Sequence, residues 1–353
     1  MLSQAEKQWL DESLAYLSVK AVNQTEPAIE AMTGDASARQ YYRIKVDART
    51  FLFCRSLDTE SNARFRLVAS ALEKAGVMAP LVFAFDDDLG VMLLSDLGNT
   101  LLVDVYQMNA HGQRYSIIHR VLNDLIRLAK MPDEYLMASD DPAVQLSTYN
   151  QALLDRDFGL FTEWCLGEAL NLSPTQQEQA MLGEFAAQFQ RSFTEQPQVW
   201  VHRDFHCRNL MLTDNDIGVI DFQDMVKGPV CYDLISLVYD AYWDIPADQK
   251  QAIVEDYHKL LTSEQMISVT LSDFLPWVAV TAMQRLIKVL GIFCRLSLRD
   301  GKMQYLADLP MVMQHLDHLH ETYPEVWSEA WLFFWQSQVK PALATFLQSH
   351  HVK

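Results

Sequence analysis

Three side chains in one short stretch have the types and spacing needed to transfer a phosphoryl group. The stretch VHRDFHCRNLMLTDNDIGVIDFQD carries Asp204, then Asn209 five residues later, then Asp221 at the head of an Asp-Phe pair. Phosphoryl transfer asks for one carboxylate to hold an acceptor hydroxyl in line and take its proton. It also asks for an amide and a second carboxylate to hold a metal that neutralises the phosphate oxygens. Asp204 and Asn209 fit the H-x-D-x-x-x-x-N spacing, and Asp221 stands where the metal-binding aspartate of a D-F-G pair would. The side-chain oxygen of Asn209 suits magnesium, which prefers hard oxygen ligands.

Such groups must be carried on short rigid elements. Val199 to Val201 reads as a strand entering the loop, Leu210 to Leu212 as a strand leaving it, and Gly218 to Ile220 as a third that delivers Asp221. Asp214-Asn215-Asp216 supplies the turn between the last two. Upstream, Ile29 to Leu94 is strand-like, with runs such as QYYRIKV and TFLFCR around an Asp47-Ala48-Arg49 hairpin turn. One helix, Ser61 to Ala75, interrupts these strands and stops at Gly76. An opening helix begins on the capping box Ser3 to Glu6, and a later one starts at Ser173-Pro174-Thr175-Gln176. Beyond Gly98 the pattern is helical, apart from the β island at about 199–222, and it is helical again from Tyr232 to the end. The expected architecture is α+β: a small β-rich lobe over 1–97, then a larger, mostly helical lobe over 98–353 that carries the catalytic loop and substrate site.

Bulk properties narrow the partners. A net charge of −18 argues against nucleic acid or an anionic membrane as the main partner, because both require a basic footprint. Five cysteines with no C-x-x-C pair fit a reducing compartment and no disulfide framework or structural zinc. The acidic opening MLSQAEKQWLDESL lacks the basic start of a signal peptide. The longest apolar stretch, Phe274 to Cys294, is broken by Gln284, Arg285 and Lys288, and reads as a buried helix with a polar edge instead of a membrane span. The expected location is the cytoplasm.

The chain resembles the aminoglycoside phosphotransferase and choline kinase superfamily, whose members share a two-lobed, protein-kinase-like fold. The resemblance covers about 28–320 and is carried by Gly34-Asp35-Ala36-Ser37-x-Arg39-x-Tyr41-x-Arg43, by Leu94-Ser95-Asp96-Leu97-Gly98, and by His202-Arg203-Asp204-Phe205-His206. Arg208-Asn209-Leu210-Met211, Asp221-Phe222-Gln223-Asp224 and Gly228-Pro229-x-x-Tyr232-Asp233-Leu234 complete it. In wording it is sharpest toward the anomeric kinases of N-acetylmuramate and N-acetylglucosamine used in cell-wall recycling. The resemblance implies ATP and Mg2+ as cofactors, Asp204 as catalytic base, and Asn209 and Asp221 as metal ligands. It implies Gly34, Asp35, Ala36 and Ser37 as the loop over the nucleotide phosphates, and Ser95, Asp96 and Leu97 as the connector whose backbone meets the adenine. Asp233 would brace the catalytic loop.

Two departures stand out. No G-x-G-x-x-G or Walker A sequence is present, so the phosphate loop has Gly34 alone, helped by the small Ala36 and the hydroxyl of Ser37. The strand expected to carry the phosphate-binding lysine, Thr50 to Arg55, has none. Alternation puts Arg39, Tyr41, Arg43 and Lys45 on one face of the preceding strand, so Arg43 or Arg39 could supply the cation. For the acceptor, Arg208, four residues beyond Asp204, is singled out among the cations Arg203, Arg208, Arg285, Lys288 and Arg295 that could meet a sugar carboxylate. Gln223 and Asp224 could bond sugar hydroxyls, and Tyr239, Tyr242 or Trp243 could line a pocket. His315, His318 and His320 read as a solvated helix face, not a metal site. The competing readings are a kinase for another small acceptor (an aminoglycoside, choline or homoserine) and a kinase-like binding protein without catalysis.

Overall fold

The computed structural model describes residues 2–17, 27–32, 39–108, 111–137, 144–213 and 216–352. The expected phosphate loop Gly34, Asp35, Ala36 and Ser37 lies outside them, as do Asp214 and Asn215 of the expected turn. The chain divides into two compact units: Met1–Val105 with Lys130–Leu146 and Asn209–Met225, and Tyr106–Ala129 with Ser147–Arg208 and Val226–Lys353. The boundary falls at the peptide joining Arg208 to Asn209, in the middle of the loop that carries the chemistry.

The first unit is built on an antiparallel sheet of β1 (Ala28–Ala31), β2 (Gln40–Val46), β3 (Arg49–Arg55), β4 (Val82–Asp86) and β5 (Val91–Ser95), in the order β1-β2-β3-β5-β4. Val46 pairs with Arg49, so β2 and β3 are joined by a two-residue turn, and Asp47 takes the positive φ of 51° that such a turn needs. Helix α1 (Gln4–Tyr16) starts on the Ser3–Glu6 capping box. It lays Leu10 and Leu14 against Tyr42, Ile44, Val46, Phe51 and Phe53, the inward positions of β2 and β3. Helix α2 (Thr59–Lys74) is capped by Asp58, which accepts the Ser61 N–H at 2.9 Å, and Gly76 turns the chain away at φ 72°.

Two island strands belong to this unit. β7 (Leu210–Leu212) pairs with β8 (Ile217–Val219), once β6 (Gln198–Val201) has led into the loop from the other unit. The Val219 N–H donates to Met78 O at 2.8 Å, and Leu97 packs on Gly218 so closely that a Cβ there would lie 2.7 Å from its methyl. The connector and the strand that delivers Asp221 are therefore fixed to each other.

The second unit is mostly helical. The chain enters it through α3 (Leu102–Met108) and continues with α4 (His111–Ala129), α5 (Gln151–Leu160) and a π-helical stretch, Phe161–Ala169. Then come α6 (Gln176–Glu195), α7 (Tyr232–Val238), α8 (Ala247–Ser263), α9 (Leu271–Leu298), α10 (Leu309–Thr322), α11 (Glu329–Phe334) and α12 (Lys340–Ser349). The α6 cap is Thr175, not Ser173, because Thr175 and Glu178 close the capping box that Ser173 would need a partner at Gln176 to form. β6 pairs with β9 (Val226–Pro229), a strand too short and too rich in Gly and Pro for its sequence to announce.

Helix α9 is the spine of this unit, packed by α5, the π-helical stretch, α6, α7, α8 and α10. It is the one helix among the described residues long and apolar enough to cross a membrane, but 89% of its most apolar window is buried inside the chain. Gly291 permits the closest approach: a Cβ there would sit 2.3 Å from the Leu160 carbonyl carbon and oxygen and 2.6 Å from Phe161 N. Backbone on that side cannot give way as a side chain could. Gly291→Ala is therefore expected to lower stability by about 3 kcal/mol or more in urea unfolding, the upper range for an overpacked core. Gly159→Ala, where a Cβ meets nothing within 4 Å, is the helical control and should cost nothing.

Candidate active site

The loop from β6 is held by two carboxylates from α7 and just beyond it. Asp233, in the first turn of α7, accepts the His202 N–H at 2.6 Å and the Arg203 N–H at 2.9 Å. Asp240 accepts the N–H of Cys207 at 2.8 Å and of Tyr242 at 2.9 Å, and its own carbonyl receives His315 Nε2 at 2.9 Å. Between these clamps the Asp204 N–H reaches His202 Nδ1 at 3.3 Å and the His206 N–H reaches Asp204 O at 3.0 Å. Arg203 is held at φ 75°, a left-handed conformation that costs a non-glycine residue about 1–3 kcal/mol. The paired N–H bonds to Asp233 are what offset it. Burial pushes the Asp233 carboxyl up to about 6, against the opposing pull of His202 and the two N–H bonds, with Asp204 adding to the rise.

Asp204 is open to solvent at its surface but closely surrounded. The crowding works to raise its pKa; Lys288, His206, Arg285 and Arg203 outweigh it and hold the carboxyl well below the usual range. Lys288 is fixed by a directed chain of donors. Its Nζ donates to Tyr232 Oη at 2.8 Å, Tyr232 lies 3.3 Å from Tyr149 Oη, and Tyr149 donates to Asp157. Because the Tyr149 proton goes to Asp157, Tyr232 must be the donor in the middle link, so every proton points from lysine to carboxylate. Burial works to lower the Lys288 pKa, but Tyr232, Asp157 and Asp204 raise it above the ordinary lysine value.

The first unit carries the other two candidates. Asn209 accepts the Ile220 N–H on its backbone carbonyl at 3.0 Å, which ties the loop exit to the end of β8. Asp221 is exposed, has φ 62°, and accepts Gln223 Nε2 on Oδ1 at 2.9 Å. Among the described residues no group of three or more His, Cys, Asp or Glu side chains could hold a metal. Two oxygen donors of this kind suit a hard divalent cation that keeps waters and phosphate oxygens for its remaining positions. Phe222 packs on Phe65 with centroids 4.7 Å apart and the rings tilted by 35°, and the Arg39 guanidinium lies over the same Phe65 ring at 4.9 Å. Arg43 is engaged elsewhere. Its Nε and Nη2 bond Asp96 at 2.7 and 2.9 Å, Nη2 also reaches Gly98 O at 2.9 Å, and Nη1 bonds Asn99. Ser95 is paired with Leu81 through both its N–H and its Oγ.

Other expected contributors fall as follows. Arg208 stacks on the Tyr242 ring at 3.6 Å, and Asp224 is exposed. Tyr239 and Trp243 are buried. The histidine face of α10 is not a solvated one: His315 and His320 are buried, and His315 lies 3.1 Å from Lys250 Nζ as well as on Asp240. Helical periodicity ranks residues by their own polarity and cannot see partners supplied from distant sequence. The same blindness hides Asp240, Tyr149 and Asp157, for which the sequence has no local signal.

The Asp233 clamp makes a prediction. In Asp233→Asn one N–H faces an amide that cannot accept it, so kcat should fall roughly tenfold or more, with a smaller change in nucleotide KM. The Asp233 pKa is raised on folding, so its burial cost is absent where both states are protonated and complete above about pH 6. Between pH 4 and pH 7 wild type should therefore lose roughly 2–3 kcal/mol of stability relative to the asparagine variant. A difference that stays flat with pH, followed by urea unfolding, would remove the burial cost of Asp233, and an unchanged kcat in Asp233→Asn would remove the clamp.

Comparisons with known proteins bear on the family and the fold. The sequence profile of the Phosphotransferase enzyme family matches residues 28–266. An N-acetylmuramate/N-acetylglucosamine kinase of Pseudomonas aeruginosa is 34% identical over 322 residues, covering 90% of this chain and 92% of the relative. A protein of the same name from Neisseria meningitidis is 30% identical over 296 residues, 83% of this chain and 85% of its own. Among solved structures, Plasmodium vivax ethanolamine kinase superposes with a TM-score of 0.58 at 12% identity, covering 88% of this chain and 94% of that one. The ADP-bound aminoglycoside phosphotransferase APH(2'')-Ib gives 0.56 at 13%, with 87% and 98% covered. These likenesses establish the α+β fold expected from the sequence, with its N-terminal antiparallel sheet and mostly helical remainder. The chain belongs to the phosphotransferase enzyme family.

Proposed function

We propose that this kinase transfers the γ-phosphate of ATP to the anomeric hydroxyl of N-acetylmuramate and N-acetylglucosamine, a cytoplasmic step of peptidoglycan recycling. The observation that carries the reading is the 34% identity to a kinase of that name across nine-tenths of both chains. The cations around Asp204 favour it over a choline or aminoglycoside acceptor, since they would repel a positively charged substrate.

In this reading Asp204 accepts a hydrogen bond from the sugar hydroxyl and aims its oxygen at the γ-phosphorus. The new O–P bond forms as the bond from the γ-phosphorus to the bridging oxygen breaks, ADP leaves, and the hydroxyl proton passes to Asp204. Asn209 and Asp221 would hold Mg2+, which when bound neutralises charge on the phosphate oxygens, and Gln223 orients Asp221 for that task. Residues 1–97 would take the nucleotide, with Gly34, Asp35, Ala36 and Ser37 over the phosphates and the backbone of Ser95, Asp96 and Leu97 against the adenine. Arg43, bound to Asp96, would set that connector, and Arg39, which donates to Ser61 O and Oγ at 3.0 and 2.8 Å, is the second candidate for the phosphate cation in place of a lysine.

Purified protein with ATP and magnesium should phosphorylate both amino sugars at the anomeric position. Asp204→Asn should lower kcat by about 10²–10⁴-fold, the range for losing a positioned acid–base group. Turnover of choline or kanamycin alone would keep the chemistry and discard the substrate. No turnover of any acceptor would favour a binding protein.

A further inference from the structure

Among the side chains that act on Asp204, Arg285 stands out. The residue is 3% exposed, and neither its Nε nor its Nη1 finds a hydrogen-bond partner. No ion pair joins it to a described carboxylate. Burying a guanidinium in this way costs several kcal/mol unless an anion compensates. Asp204 feels the Arg285 field together with that of Lys288 and Arg203, and Asp157 also acts on Lys288 and Arg203, so two carboxylates serve three cations.

Geometry gathers Lys288 and Arg203 on one network, with Arg285 one turn from Lys288 on α9. Lys288 follows Arg285 by three residues on α9, which puts both on one helix face. Its Nζ is pinned to Tyr232, which bonds Tyr149; Arg203 lies over the Tyr149 ring at 5.8 Å, with its own Nε unpartnered. Gln284, next to Arg285, donates to Tyr149 Oη at 3.4 Å and keeps a buried, unpartnered Oε1.

We propose that Arg285, supported by Lys288 and Arg203, is the carboxylate-reading subsite of the acceptor pocket and discriminates an acidic amino sugar from a neutral one. The inference rests on the amino-sugar reading above. It gives the unpaired guanidinium the partner it lacks: a carboxylate carried on the sugar, away from the hydroxyl that Asp204 holds. Arg208, four residues from Asp204 in sequence, is instead stacked on Tyr242 and exposed. The other anion these cations could serve is the phosphoryl group in transit, which every acceptor shares.

The test measures kcat/KM for N-acetylmuramate, its methyl ester and N-acetylglucosamine in wild type, Arg285→Gln, Arg285→Lys and Arg208→Gln. Arg285→Gln should lower the ratio of the acid to the neutral sugar by about tenfold or more, and Arg285→Lys should restore part of it. The acid should outperform its ester in wild type and lose that advantage in Arg285→Gln, a cycle that isolates the pair. An unchanged ratio in Arg285→Gln, with both sugars equally slowed, assigns the cation to the phosphoryl group and overturns the proposal. So does a larger change in Arg208→Gln. If Arg285→Gln does not fold, equal turnover of acid and ester by wild type overturns it alone. Wild type that turns over neither amino sugar refutes the functional reading itself. Turnover of only the neutral sugar refutes the carboxylate subsite and leaves the kinase standing.

Discussion

The carboxylate of Asp233 accepting two consecutive backbone N–H groups is the constraint on which the catalytic half of the structure depends. Those donors belong to His202 and Arg203, at the point where the chain leaves β6 and Arg203 turns left-handed. Without an acceptor for both, the loop would have two buried donors to satisfy and no reason to hold that turn. Asp240 repeats the device at Cys207, and His315 and Lys250 in turn hold Asp240 from behind. Asp204 therefore owes its position to α7 and the residues after it, not to the loop that contains it. In the base role proposed for it, a carboxylate fixed in this way would need no reorganisation when an acceptor arrives, which is where most of its advantage over a mobile carboxylate would lie.

Much of this was legible beforehand, for local reasons. The two-residue turn at Asp47, the cap of α1 and the stop at Gly76 are decided by residues within a few positions of one another. The spacing of Asp204, Asn209 and Asp221 is likewise local, since a loop between two short strands admits few lengths. Asp233 was reachable as a brace through the family resemblance alone. What could not be read is whatever depends on partners far along the chain. Asp157 and Tyr149 read as ordinary polar and aromatic residues of a helix start, and only the fold sets them beside Tyr232 and Lys288. His315 was misread for the same reason: a histidine is expected in water unless something buried can bond it, and both of its partners come from other elements.

The polar edge of α9 shows how one stretch can satisfy two demands. Gln284, Arg285 and Lys288 interrupt the apolar run of α9, and all three are buried. Lys288 is tolerable there because the chain of donors through Tyr232 and Tyr149 ends on the Asp157 carboxylate, so the charge is compensated at the far end of an ordered relay. Arg285 has no such relay, and its cost is borne instead by the field of Asp204 and by whatever anion the site admits.

On the function proposed above, that field bears on what kind of base Asp204 would be. Cations that hold a carboxylate ionised lower its affinity for a proton, so a site built for strong proton abstraction would avoid them. In a loose phosphoryl transfer the acceptor hydroxyl needs little help before the O–P bond is well advanced, and the proton leaves late. A weakly basic carboxylate, always ionised and rigidly aimed, then loses little by its low basicity and gains in orientation. The same cations that weaken it as a base lower the cost of bringing an anionic acceptor toward an already negative centre. In a chain as acidic as this one, that compensation has to be local, and the buried face of α9 is where the structure provides it.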